Sequence, residues 1–204
     1  ADQRLGRMIA LVGDAELDEG NIYEALQEGW KNDLRNCWWI IDYNRQSLDS
    51  VVNDQLFQKH ADVFRNLGWG VITLKYGNRL RALFEEPGGN DLQQWIDECP
   101  NQLYSALVFQ GGAAWRKQLE TDLAGADQAL ALVASYDDET LHGLMTNLGG
   151  HCMESVVKAF EGAPSDRPVC FIAYTVKGYG LPLQGHKDNH AGIMTKAHME
   201  EFRE

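Results

Sequence analysis

The sequence predicts an α/β protein: a doubly wound, mostly parallel sheet with helices on both faces and a helical insertion at about 78–148. Three observations predict it. Short apolar runs end abruptly in polar residues, at Gly13-Asp14 and again at Asp42-Tyr43-Asn44. A stretch with helical spacing lies between those runs, as a crossover connection requires. From Asn78 to Leu148 the pattern is helical, with no convincing strand.

Met8-Ile9-Ala10-Leu11-Val12 reads as a buried parallel strand. Ile22, Ala25, Leu26, Gly29 and Trp30 recur at helical spacing and predict an amphipathic helix from Asn21 to about Lys31. Glu16, Asp18 and Glu19 are expected in the first turn of a helix, where acidic groups favour its dipole. Cys37 to Tyr43 is apolar until Asp42 and reads as a second buried strand, with Trp38 and Trp39 in the core. Phe57, Ala61, Phe64 and Leu67 mark a helix stopped by Gly68, and Gly70 to Tyr76 a third strand. Such alternation implies parallel pairing. Pro87-Gly88-Gly89 and Gly111-Gly112 punctuate the helical middle, which is expected to cover the sheet. Gly149-Gly150 precedes a helix carrying Met153, Val156, Val157 and Phe160, ended by Gly162-Ala163-Pro164. Val169 to Thr175 is the fourth strand. A loop rich in Gly and His runs from Lys177 to Gly192, and Thr195 is expected to cap a final helix. A single domain over 1–204 is expected.

Lys and Arg number 18 against 30 Asp and Glu, a net charge of −12. That argues against a nucleic-acid surface, which needs clustered cations. It also means that an anionic ligand requires a local positive source, such as a metal ion or a helix N-terminus. No apolar run approaches the roughly 18–20 residues of a membrane span, and no secretory signal is visible. A cytoplasmic protein without a membrane partner is therefore expected. Cys37, Cys99, Cys152 and Cys170 are scattered, which predicts free thiols and no zinc site.

In open parallel sheets ligands bind at the carboxyl ends of strands. Three polar clusters fall there: Gly13-Asp14-Ala15-Glu16, Asp42 to Gln46, and the loop from Lys177 to His190. A magnesium-diphosphate site takes few carboxylates, with neutral oxygens, phosphate oxygens and water completing an octahedron. Asp14 can supply the carboxylate, Asn44 an amide oxygen and Gln46 a backbone carbonyl. Gly13 is expected to allow a tight turn. Asp14 and Asn44 stand thirty positions apart, about the length of strand end, crossover helix and next strand end.

These segments resemble the thiamine-diphosphate signature, which begins Gly-Asp-Gly and ends near an Asn about thirty residues on. The closer resemblance is to the homodimeric decarboxylating component of the pyruvate dehydrogenase complex. Gly13-Asp14-Ala15-Glu16-Leu17-Asp18-Glu19 is similar to that family's Gly-Asp-Gly-Glu-Met-Asp-Glu. Asn44-Arg45-Gln46-Ser47-Leu48-Asp49 is similar to its Asn-Leu-Gln-Arg-Leu-Asp, and Gly68-Trp69-Gly70-Val71-Ile72 to its Gly-Trp-Asn-Val-Ile. Asn147-Leu148-Gly149-Gly150-His151 and Thr175-Val176-Lys177-Gly178-Tyr179-Gly180 also correspond. The resemblance implies thiamine diphosphate and Mg²⁺ as cofactors, with Asp14, Asn44 and the Gln46 carbonyl as metal ligands. It implies cofactor contacts by Gly13 and the backbone around Ala15 and Glu16. It places His190 on a loop whose histidine orients substrate, and His190-Ala191-Gly192 is also similar to the His-Gly of transketolase. His186 and Lys187 are further candidates for phosphate or carboxylate contacts, whereas His151 reads as structural. Ala15 departs from the signature glycine.

The implied reaction is decarboxylation of a 2-oxo acid with transfer of the acyl group to a lipoyl-bearing acyltransferase component, in a homodimeric parent enzyme. In that family the carboxylate that activates the cofactor lies on a separate pyrimidine-binding domain, which has no counterpart in these residues. A fragment of a larger multidomain enzyme, inactive alone, is therefore expected. Two alternatives stand beside this reading: a transketolase-type ketol transfer, and a non-catalytic thiamine-fold module, motivated by Ala15 and the absent domain.

Overall fold

A computed structural model describes residues 6–45 and 56–203, without the side chains of Leu56, Phe57 and Lys187. The described chain divides into two compact units. One comprises the described residues of Ala1–Ser47, Gln55–Gly77 and Leu148–Thr175; the other comprises those of Leu48–Asp54, Asn78–Asn147 and Val176–Glu204.

The first unit holds a four-stranded sheet: β1 (Met8–Gly13), β2 (Cys37–Tyr43), β3 (Gly70–Leu74) and β4 (Val169–Tyr174), in the order β1-β2-β4-β3 and parallel throughout. Its helices are α1 (Gly20–Lys31), α2 (Leu56–Asn66) and α9 (Met153–Glu161). Neighbouring tryptophans show that helices cover both faces, because successive strand residues point to opposite sides. Trp38 packs on Phe160 of α9 and on Phe171, at centroid distances of 5.2 and 4.9 Å. Trp39 packs the other way, on Phe64 of α2 and on Trp69, at 6.0 and 5.5 Å. The Trp69 indole then donates to the Leu26 carbonyl of α1. Gly149 lets the chain pass close to the Leu74 backbone, which a Cβ would strike.

Three readings need correction here. β1 is no buried strand: Met8, Ile9 and Leu11 are 56, 54 and 74% exposed. Among the described residues it lies at the sheet edge, with β2 as its single strand neighbour. α9 covers Trp38 but leaves Ile9 and Leu11, on the same face by register, open. Trp30, assigned to the apolar face of α1, is 61% exposed. Glu16 does lie in the first turn of a helix, the short 3-10 helix Asp14–Asp18, but Asp18 ends that helix and Glu19 is the N-cap of α1, so neither of these two is in a first turn.

The second unit is helical: α3 (Asn78–Phe84), α4 (Gly89–Glu98), α5 (Asn101–Gln110), α6 (Gly112–Asp122), α7 (Asp127–Ala134), α8 (Asp138–Met145) and α10 (Lys196–Arg203). Fully buried Trp115 of α6 anchors it, edge-on to Trp95 and Tyr104. The Tyr104 hydroxyl donates to the Met145 carbonyl at 2.6 Å. Arg116 ties three segments together through Asp138 and the carbonyls of Val133 and Tyr136. Asn147, read as part of a motif, caps α3 by accepting from the Arg79 and Leu80 amides. Thr195 accepts from the His198 amide and caps α10, as expected. Among the described residues no helix is long and apolar enough to cross a membrane.

Candidate cofactor site

The parallel register pairs Gly13 with Asp42, so the chain leaves β1 and β2 side by side. The thirty-residue spacing therefore brings Asp14 to the end of β2. One Asp14 carboxylate oxygen accepts from the Arg45 amide at 3.1 Å, the other from the Ala15 amide at 3.0 Å. Asn44 lies between β2 and Arg45, half-buried. Gln46 lies outside the described residues. Among the described residues no group of three or more His, Cys, Asp or Glu could hold a metal; a site at Asp14 would rest on one carboxylate and neutral oxygens.

Gly13 is extended, with φ −70° and ψ 151°, so the expected tight turn does not form there. Its amide donates to the Glu16 carboxylate at 3.1 Å, which also lies where a Gly13 Cβ would point. Ala15 is exposed and is not among the side-chain-bearing residues with positive φ. The third signature position thus carries no conformational need for glycine. The turn is made instead at Arg45, which is left-handed at φ 65° and only 6% exposed. In the sequence Arg45 stands inside the Asn44-Arg45-Gln46 motif without a side-chain role of its own; the one signal there is a cation where the resembling motif has leucine.

Asp42, the penultimate residue of β2, accepts from the Thr175 hydroxyl. His151 ends a 3-10 turn nearby; burial lowers its imidazole below the ordinary value, and the charge of Asp42 opposes that shift.

His190 belongs to the second unit and ends a 3-10 turn at Lys187–His190. The loop closes on Lys177, whose carbonyl accepts from the Asn189 side chain at 2.7 Å and the Gly185 amide at 3.0 Å. Gly178 permits this at φ 69°, where a Cβ would strike Asn189. Lys177 Nζ lies 3.2 Å from His190 Nδ1. An ammonium has donors only, so Nδ1 accepts and the ring proton resides on Nε2. His190 is exposed and presents a donor. His186 packs edge-on to Phe109 and accepts from the Asp188 amide, which is a capping role.

No family model matches the chain. Curated relatives do. The pyruvate dehydrogenase E1 component of Escherichia coli K12 is 28% identical over 198 residues, 95% of this chain and 22% of that protein. That of Corynebacterium glutamicum is 29% identical over 95% of this chain and 21% of its own length. That of Pseudomonas aeruginosa is 29% identical, with 94 and 22% covered. Among solved structures, a transketolase mutant from Pichia stipitis aligns with 90% of this chain and 17% of its own, at 14% identity and a TM-score of 0.44. The chain spans about a fifth of the length of the curated relatives it matches. Over 95% of its residues, in a parallel α/β fold with Asp14 set against the end of β2, the chain resembles the pyruvate dehydrogenase E1 component.

Proposed function

We propose that residues 1–204 are a thiamine-diphosphate-binding domain of a larger 2-oxo acid dehydrogenase of the pyruvate type, which decarboxylates its substrate and acylates a lipoyl group on an acyltransferase partner. The observation that carries the reading is the hydrogen bond from the Arg45 amide to Asp14, which joins the ends of β1 and β2 at the position of the signature. A single carboxylate between backbone donors suits Mg²⁺, which prefers few protein ligands and keeps phosphate oxygens and water. Asp14 and Asn44, with the Gln46 carbonyl, would hold the metal; the backbone around Ala15 and Glu16 would contact the diphosphate. When bound, thiamine diphosphate supplies the carbanion chemistry of 2-oxo acid decarboxylation. The chain's own part is to fix the diphosphate, to neutralise its charge and to orient substrate. The Nε2–H of His190, set by Lys177, would donate to a substrate oxygen. This domain alone would not turn over, and the parent enzyme would be a soluble homodimer.

Calorimetric titration of the chain with thiamine diphosphate tests the reading. Binding is expected to tighten when Mg²⁺ is added and, in Mg²⁺, to weaken by about 100-fold in Asp14→Ala, since even outer-shell partners of a metal contribute 10–100-fold. Binding without metal dependence, or indifferent to Asp14→Ala, would sink it. In the parent enzyme, turnover of pyruvate rather than xylulose 5-phosphate would separate decarboxylation from ketol transfer.

A further inference from the structure

Arg45, Lys75 and Tyr174 stand at the carboxyl ends of β2, β3 and β4, within the first unit. The Arg45 guanidinium lies 5.5 Å from the centre of the Tyr174 ring and Lys75 Nζ 5.6 Å from it. Tyr174 itself is buried and packs on Tyr43 at 4.8 Å. The topology thus gathers two cations around one aromatic ring, on the sheet edge where ligands of open parallel sheets bind. Burying a guanidinium has a cost; the ring face offsets part of it.

We propose that Arg45 and Lys75 are a resident cationic pair for diphosphate oxygens, giving this chain an affinity for diphosphate that does not depend on metal. The inference rests on the thiamine-diphosphate reading above and deepens it. Charge is the first reason. A magnesium ion held by the Asp14 carboxylate has half its charge left, and the chain around it carries −12. A diphosphate there needs further positive charge, which guanidinium and ammonium groups supply through charge-assisted hydrogen bonds. Backbone geometry is the second. Arg45 adopts φ 65°, which glycine reaches without strain and other residues disfavour. Its amide serves Asp14 while its side chain turns to Tyr174, so one residue links the carboxylate and the cationic pair.

The test is calorimetric titration of the chain with inorganic pyrophosphate, in EDTA and in Mg²⁺, for the native sequence, Arg45→Gly, Lys75→Met and Asp14→Ala. Arg45→Gly retains the amide that Asp14 accepts and relieves the left-handed strain, so its Tm is expected not to fall. In EDTA the native chain is expected to bind; Arg45→Gly and Lys75→Met are each expected to weaken Kd about 10-fold, the loss of one charge-assisted hydrogen bond. Asp14→Ala is expected not to weaken binding in EDTA and to remove only the gain from Mg²⁺. No binding in EDTA overturns the pair, and so does indifference to either cation substitution, which would leave the two side chains as packing on Tyr174. If Mg²⁺ brings no gain, or a gain that survives Asp14→Ala, the thiamine-diphosphate reading fails instead, independently of the titration in EDTA.

Discussion

Cys170 sits in the middle of β4, fully buried, and burial pushes its thiol far above the ordinary cysteine range. Burial also raises Cys37, against a hydrogen bond with Trp39. The thiolate is the reactive form, so iodoacetamide is expected to spare Cys170 in the native chain and to alkylate it in urea. Peptide mass spectrometry checks this, and rapid native labelling would count against its place in the core. The scattered cysteines predict no disulfide, and none of the four is disulfide-bonded among the described residues. The place of Asp14 was legible too: strand end, crossover helix and next strand end span about thirty residues, which brings it beside the end of β2. Arg45 was not legible. Neither its left-handed backbone nor its burial follows from residue type, because both arise where β2 ends beside Asp14.

Strands of similar apolar content diverge once they are paired. β4 is buried at every position, with β2 on one side and β3 on the other, while β1 has one strand neighbour and an open face. Phe171→Ala is therefore expected to cost about 3–5 kcal/mol. Leu11→Thr, at 74% exposure, is expected to change stability by less than about 0.5 kcal/mol. Urea denaturation of the two variants measures the contrast, and equal losses would contradict the strand order. Helices were more legible than strand positions. Caps are local, and Thr195 caps α10 where its sequence context predicts. The acidic run after Asp14 misled because a 3-10 turn intervenes before α1.

Acidity bears on the molecule as a whole. Burial lowers His142 below its ordinary value of 6.5 with no opposing charge. Burial also lowers His60 and His151, against the opposing charges of Asp18 and Asp42. Each group binds protons more weakly folded than unfolded, so each contributes stability that is complete above about pH 6.5 and is lost as pH falls through the lowered values. Thermal melts from pH 8 to pH 5 are expected to show a falling Tm below about pH 6.5, with a shallower fall in His142→Gln. A Tm that is flat or rises on acidification would contradict neutral burial of these imidazoles.

The sequence by itself determined the α/β class, the parallel pairing of its first two strands, the helical middle and the meeting of Asp14 with the end of β2. These depend on periodicity and on the length of a strand–helix–strand unit, which are local properties. Only the tertiary structure decided that β4 lies between β2 and β3, that β1 is an edge, and that Arg45 and Lys75 share the ring of Tyr174. Those facts depend on which strands pair across the whole helical middle, and an apolar run carries the same letters at a sheet's centre as at its edge.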